Sequence, residues 1–467
     1  MSTAVTLLKK DGREFVRDSR LVVMAIVMVV LSLTALLTSY ARVTAYEIDR
    51  QATEQRERHT WENQGERNPH GAAHFSQWAL RPLTPMALLE PGISDHAGAA
   101  VWMEAHHRNG AQGRASDDNP LAFDVGNFSV GWLLQTLLPL FLLIVAAGTV
   151  ARERELGTLK QLLATGASVT ALLRGKLVSL IALAAALTVP VLLAGAMAAV
   201  AAGPVEPARL FIWAAIHLLY LATVLVIGLA ISTLCRTAAS ALLLLVALWS
   251  AGVLFIPRAT TVAAETLAPV SSPEAFWGAM AADIEQQPNP LSDEDFKASV
   301  LAQYGVEEVD ALPVSFPGLQ LEESERRGNV VFDRHFAALE AQHDRQRSLL
   351  RWASLLSPLP ALQNVSMALA ATDSAAQRSF QEQAEAHRRK TITMLNLDMA
   401  ENAVGLDFDY TADSELWQRI PAFEFRAMSL REVLSNSIVD LLLLIAWAAG
   451  SALMLLLARR RLTASTL

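Results

Sequence analysis

Cysteine is almost absent from this sequence: 467 residues contain one, Cys235. A lone thiol excludes an internal disulfide framework, so any part outside a membrane must hold together by packing or through a partner. A phosphate-binding loop is also missing. Such a loop needs Gly, four residues, then Gly-Lys-Ser or Gly-Lys-Thr, so that backbone amides cradle phosphate and a hydroxyl holds magnesium. The nearest string, 166–177, separates Gly166 from Gly175 by eight residues and puts Leu177 where the hydroxyl belongs. The chain therefore carries no site of its own for ATP hydrolysis. No internal repeat is evident, and no two-residue alternation lasts beyond a few residues, which excludes a mainly β architecture.

Apolar residues are plentiful, at 52%, with a mean hydropathy of +0.31. They are gathered in blocks, as one soluble domain would not gather them. A helix rises about 1.5 Å per residue, so about 20 apolar residues cross a bilayer core. Six stretches meet that length: 21–40, 132–151, 177–202, 210–235, 239–257 and 438–458. The expected fold class is an α-helical polytopic membrane protein with six transmembrane helices.

Charge orients them. Residues 1–20, 152–176, Arg236 and 459–467 hold 14 Lys or Arg against 5 Asp or Glu, while the remainder holds 24 against 41. With six alternating spans all the basic segments share one side, and the retention of Lys and Arg in cytoplasmic loops predicts both termini inside. Two long segments, 41–131 and 258–437, then lie outside. The first apolar run is too long for a cleaved signal core and reads as an uncleaved anchor. Ahead of it, residues 1–20 read as an interfacial elbow helix on the lipid bilayer, with Lys9, Lys10, Arg13 and Arg17 meeting anionic headgroups. The outer part is expected to be mainly helical. Phe332, Phe336, Leu339 and Leu350 keep helical spacing up to a stop at Pro358. A second helix is predicted over 374–402, capped by Asp373 or Ser374, with loops and short helices over 287–316.

Between the second and third spans lies the charged segment 152–176, RERELGTLKQLLATGASVTALLRGK. Leu156, Leu159, Leu162 and Leu163 recur at helical spacing. The string Glu153, Arg154, Glu155, then Gly157, Thr158, Leu159, Leu162 and Leu163, followed by Gly175 and Lys176, resembles the signature of ABC-2 type transporter permeases. The six spans and the elbow helix fit the same plan, although Gly166 stands where that family often has proline. The phrases at 83–109, LTPMALLEPGISDHAGAAVWMEAHHRN, and at 357–373, SPLPALQNVSMALAATD, resemble a bacterial subgroup with a large extracytoplasmic domain of unknown function. The resemblance implies a bacterial inner-membrane permease subunit of an ATP-driven exporter. Its partners would be a separate ABC ATP-binding subunit, carrying ATP and magnesium, and a second permease copy or a paralogous permease. Residues 153–164 would be the coupling helix, although Glu153 and Glu155 equally suit dipole compensation at a helix N-terminus. The chain itself is expected to be no enzyme and to bind no cofactor or nucleic acid. An alternative is a mechanotransmission permease that moves a periplasmic partner, for example in metalloenzyme maturation, without transporting cargo. A membrane receptor or intramembrane enzyme is a third class, and the spans lack a catalytic constellation for it.

Histidine is the remaining chemical signal. Six of ten lie in 41–131: His59, His70, His74, His96, His106 and His107. His70 and His74 have the four-residue spacing of a metal pair on a helix, although Pro69 and Gly71 argue against a settled helix, and surface or packing roles stand beside the metal one. His217 is alone in a span, either as a pathway residue or as a neutral packing residue with Tyr220 as possible partner. Gly228 with Ser232, and Ala446 with Gly450, have the spacing of close helix contacts.

Overall fold

The structure, a computed structural model, describes residues 3–75, 77–113, 128–289, 292–403 and 408–466. Parts of the segments expected outside, including 114–127, fall outside the described residues. Helix α1 (Thr3–Arg17) is followed at once by α2 (Ser19–Glu62), with Asp18 between them accepting from the Arg20 amide at 3.0 Å. The apolar run ends near residue 40, but α2 continues for 44 residues in all. Residues 41–62 contain no Gly or Pro, and ion pairs of helical spacing join Arg50 to Glu47 and Glu54 and Arg58 to Glu62. These features propagate the helix beyond its apolar part.

After α3 (Pro69–His74) comes a small antiparallel sheet: β1 (Gln77–Leu80), β2 (Ala100–Glu104) and β3 (His107–Arg108), in register with Gln77 opposite Met103 and Met103 opposite Arg108. Sequence reasoning predicted no strands, because alternation over four or five residues is too brief to separate from chance. Pro69 does not prevent α3 either, since it occupies the first turn, where no amide proton is needed.

The chain then passes through α4 (Val130–Glu155), the short α5 (Thr158–Ala164), α6 (Val169–Ala202), α7 (Pro207–Leu234) and α8 (Ala238–Leu267). Two wide π turns, Leu133–Leu137 in α4 and Ala251–Phe255 in α8, end just before Pro139 and Pro257. The wider turn accommodates a residue lacking an amide proton, so α8 runs ten residues past the proline at which a span end was expected. A domain of α9 (Pro273–Glu285), α10 (Glu294–Tyr304), α11 (Phe316–Arg351), α12 (Ala353–Leu356), α13 (Pro358–Ala370), α14 (Ser374–Asn402), α15 (Ser414–Arg419) and α16 (Leu430–Asn436) precedes α17 (Ile438–Thr466). Asp373 caps α14 by accepting from the Ala376 amide. Helix α11 starts well before Phe332, because Pro317 lies in its first turn rather than in a loop.

The fold is mostly helical, and α2, α4, α6, α7, α8 and α17 are long and apolar enough to cross a membrane. Helices α4 and α7 form the centre of the bundle. A Cβ on Gly228 would lie 2.7 Å from the Ala146 Cβ, and the Ser232 hydroxyl donates to the Ala147 carbonyl at 2.8 Å. This is the close crossing that the Gly228 and Ser232 spacing predicts. Gly450 makes no such contact: with Ala446 it lines a cavity of about 660 Å³ between α4, α7, α8 and α17.

Candidate functional site

At one end of the bundle the charged segment is not one helix. Gly157, at φ 76°, breaks α4 from α5, and Gly166, at φ 87°, turns the chain toward α6. Positive φ is the glycine-favoured region, so both breaks are written in the sequence. Glu153, Arg154 and Glu155 therefore form the last turn of α4, not the first turn of a coupling helix, and dipole compensation at a helix N-terminus cannot be their local role. Each binds a different neighbour instead. Glu153 meets Lys10 of α1 at 2.6 Å and Lys176 of α6 at 3.5 Å, and also accepts from the Thr158 hydroxyl. Arg154 donates to the Thr233 carbonyl at 2.8 Å and to the Cys235 carbonyl, filling the open acceptors at the end of α7. Glu155 accepts from the Ala238 amide at 3.1 Å, the first residue of α8. Three consecutive side chains thus tie α4 to α1, α6, α7 and α8.

Helix α5 turns its apolar side inward. Leu159 is buried, and Leu162 and Leu163 pack half-buried on the bundle core. These leucines hold α5 in place, while the free surface offers Leu156, 64% exposed, with Lys160 and Gln161. Behind it, Lys176 Nζ lies 2.8 Å from Asp11 Oδ1, both side chains 4% exposed. A Cβ on Gly175 would stand 2.4 Å from Leu7 Cδ1, so α1 sits directly on α6 at that glycine. Lys10, expected at lipid headgroups, is engaged by Glu153. Sequence reasoning missed Asp11 as a partner; an acidic residue within a basic amphipathic helix was the available signal.

At the opposite end a buried polar network joins spans to domain. The Gln135 amide nitrogen lies 2.7 Å from Glu90 Oε2 and 3.2 Å from His217 Nε2. Ser366 donates to Glu90 Oε2 at 2.6 Å and accepts from Trp213 Nε1 at 2.7 Å. His217 Nδ1 lies 2.7 Å from the Trp213 carbonyl, so the proton sits on Nδ1 and Nε2 accepts, as in a neutral imidazole. His217 is fully buried, and Tyr220 binds the Gln135 carbonyl at 3.1 Å rather than the histidine. Burial pushes the Glu90 carboxyl up, against hydrogen bonds from Ser366 and Gln135. Nearby, Asp440 of α17 meets Asn364 of α13 at 3.0 Å and Arg351 of α11 at 3.4 Å, and Trp447 donates to the Ser354 carbonyl at 2.8 Å.

Between the first two spans, His70 and His74 of α3 bring their Nε2 atoms within 3.2 Å, and His106, from the turn between β2 and β3, joins them. Burial, then the neighbouring His106 and His74, lowers His70 to about 4. No metal-binding group of sequence origin predicted His106 in this trio.

Residues 117–273 match the family model "ABC-2 family transporter protein", and 274–426 match "Domain of unknown function (DUF3526)". The chain carries an ABC-2 family transporter domain, consistent with an ABC-2 permease. The two matches meet at the start of α9, so the first covers α4 to α8 of the permease and the second covers α9 to α15. No curated protein matches the permease. Lys10 and Asp11 lie outside both matches, although their partners Glu153 and Lys176 lie inside the first.

Proposed function

We propose that this permease is driven by a separate ATP-binding subunit that seats on α5, and that it works as an exporter. The observation carrying the reading is the arrangement of α5: a short helix between two left-handed glycines, fixed inward by Leu159, following directly on the last turn of α4, which Glu153, Arg154 and Glu155 tie to four neighbours. A displacement imposed on so constrained a helix passes to the spans instead of being absorbed by a loose loop. Leu156, Lys160 and Gln161 form the contact surface for the ATPase, with ATP and magnesium held by that subunit. The cavity between α4, α7, α8 and α17, lined by Leu143, Trp249, Trp447 and Met454 among others, suits an amphipathic or lipid-like cargo. A second permease copy would complete the pathway, in a bacterial inner membrane with α5 and both termini cytoplasmic and the domain periplasmic.

A second reading, mechanical transmission to a periplasmic partner, is favoured by the buried junction. Glu90, Gln135, Ser366 and Asp440 bind spans and domain through desolvated groups, so span motion would carry the domain with it. Two measurements test these readings. With Cys235 replaced by serine, a cysteine at Gln161 should cross-link to the co-expressed ATPase, and Leu156→Ser should weaken co-purification. Retention of the ATPase after removal of the α5 surface would overturn the coupling. Reconstituted vesicles that hydrolyse ATP without releasing an amphipathic dye would exclude export in favour of transmission.

A further inference from the structure

The histidine trio lies outside both matched families and meets the domain of unknown function through Glu325, which contacts His106. One ring nitrogen from each of His70, His74 and His106 falls within 4.8 Å of the others. Separate structural devices produce this convergence. His70 and His74 are four apart on α3, whose start is fixed by Asn68 accepting from the Gly71 amide at 3.0 Å. The hairpin carrying His106 is pinned to the same helix by a backbone bond from the Ala105 amide to the Ala73 carbonyl at 3.1 Å. His106 itself adopts φ 63°, a left-handed conformation that non-glycine residues uncommonly adopt.

Glu325 of α11 completes the arrangement. Its Oε1 lies 2.9 Å from His106 Nδ1 and accepts from the His106 amide at 2.5 Å, while Oε2 receives Arg388 Nη1 at 3.0 Å. A proton on Nδ1 directed at the carboxylate leaves the Nε2 lone pair of His106 free. A carboxylate fixing the far nitrogen of an imidazole is the outer-shell arrangement that orients metal ligands and raises their basicity.

We propose that His70, His74 and His106 bind one divalent late transition-metal ion of the zinc class, with Glu325 orienting His106. Three imidazoles without thiolate suit borderline ions such as Zn²⁺, and leave a fourth position for water or a partner's ligand.

The test uses the full chain in detergent, purified without a polyhistidine tag and stripped of metal. Titration with Co²⁺ as spectroscopic probe should give one equivalent per chain with the intense visible bands of a four-coordinate site, displaced by Zn²⁺. His106→Gln should abolish those bands, and Glu325→Gln should weaken Zn²⁺ affinity about 10- to 100-fold. His59→Ala, a histidine outside the trio, should leave both unchanged. Each variant is compared only where its circular dichroism matches the parent. If a variant misfolds, diethyl pyrocarbonate modification of the parent chain supplies the second measurement, since Zn²⁺ should protect these three histidines specifically. Binding below one equivalent, a six-coordinate spectrum, unchanged binding in His106→Gln or absence of histidine protection would overturn the site.

Discussion

Replacing Lys176 by methionine is expected to loosen α1 from the bundle while leaving the spans folded. The substitution keeps the apolar stem and removes the ammonium that lies 2.8 Å from Asp11, in a place where both side chains are 4% exposed. Asp11 Oδ2 already lacks a hydrogen-bond partner, so the carboxylate would remain buried with its cation gone. Removing one member of a buried pair costs about 3–5 kcal/mol. Glu153 keeps Lys10 at 2.6 Å, so the damage falls chiefly on Asp11 and the lower figure applies. A loss of about 3 kcal/mol is over a hundredfold in the equilibrium between docked and undocked α1. Spin labels on cysteines at the exposed positions Arg13 and Arg174, in a Cys235→Ser background, report that equilibrium as a distance distribution. It should be narrow in the parent and broad in Lys176→Met. Adding Asp11→Leu should narrow it again, because an apolar pair can replace a buried ion pair with little loss. A distribution in Lys176→Met as narrow as the parent's, or a double variant as broad as the single one, would refute the reasoning.

Other substitutions separate packing from docking. Gly228→Ala should lower stability by about 1–3 kcal/mol through overpacking on Ala146, whereas Gly450→Ala, with nothing within 4 Å, should be neutral or gain about 0.5 kcal/mol; thermal melting in detergent compares them. Leu159→Ala should cost about 2–5 kcal/mol of stability, while Leu156→Ser should leave melting unchanged and reduce ATPase co-purification. Burial pushes the Glu325 carboxyl up, but His106 and Arg388 outweigh it and hold it near about 2. An unfolded glutamate titrates near about 4.3, so this stabilisation is present above that pH and is lost as pH falls toward 2. The parent should therefore lose more melting temperature between pH 5 and pH 3 than Glu325→Gln does; equal losses would remove Glu325 as the source.

Hydropathy found the six apolar stretches because burial in lipid acts on composition over a whole span. It could not find where helices stop, since charged residues continue α2 and a π turn carries α8 through Pro257. The charged segment 152–176 was legible as a string but not as contacts. Arg154 binds carbonyls about 80 residues away, and backbone acceptors leave no mark in side-chain identity. Leu159, Leu162 and Leu163 were visible as a stripe, but a stripe does not say whether it faces its own bundle or another protein. His70 and His74 were legible from their spacing. His106 and Glu325 were not, because a left-handed hairpin turn and a contact across 219 residues bring them in.

Helix α2 has a geometric consequence of its own. At about 1.5 Å per residue its 44 residues make a rod of about 66 Å, roughly twice the thickness of a bilayer core. Its base adjoins α1 through Asp18, and its tip packs Trp61 against Trp417, with rings 5.7 Å apart. A tilt of about 5° at the base would sweep the tip through about 6 Å, so a rotation there would be magnified at the tip, as by a lever arm. An angular change too slight to open a passage for solute is still large enough at Trp61 to exchange one set of side-chain contacts for another.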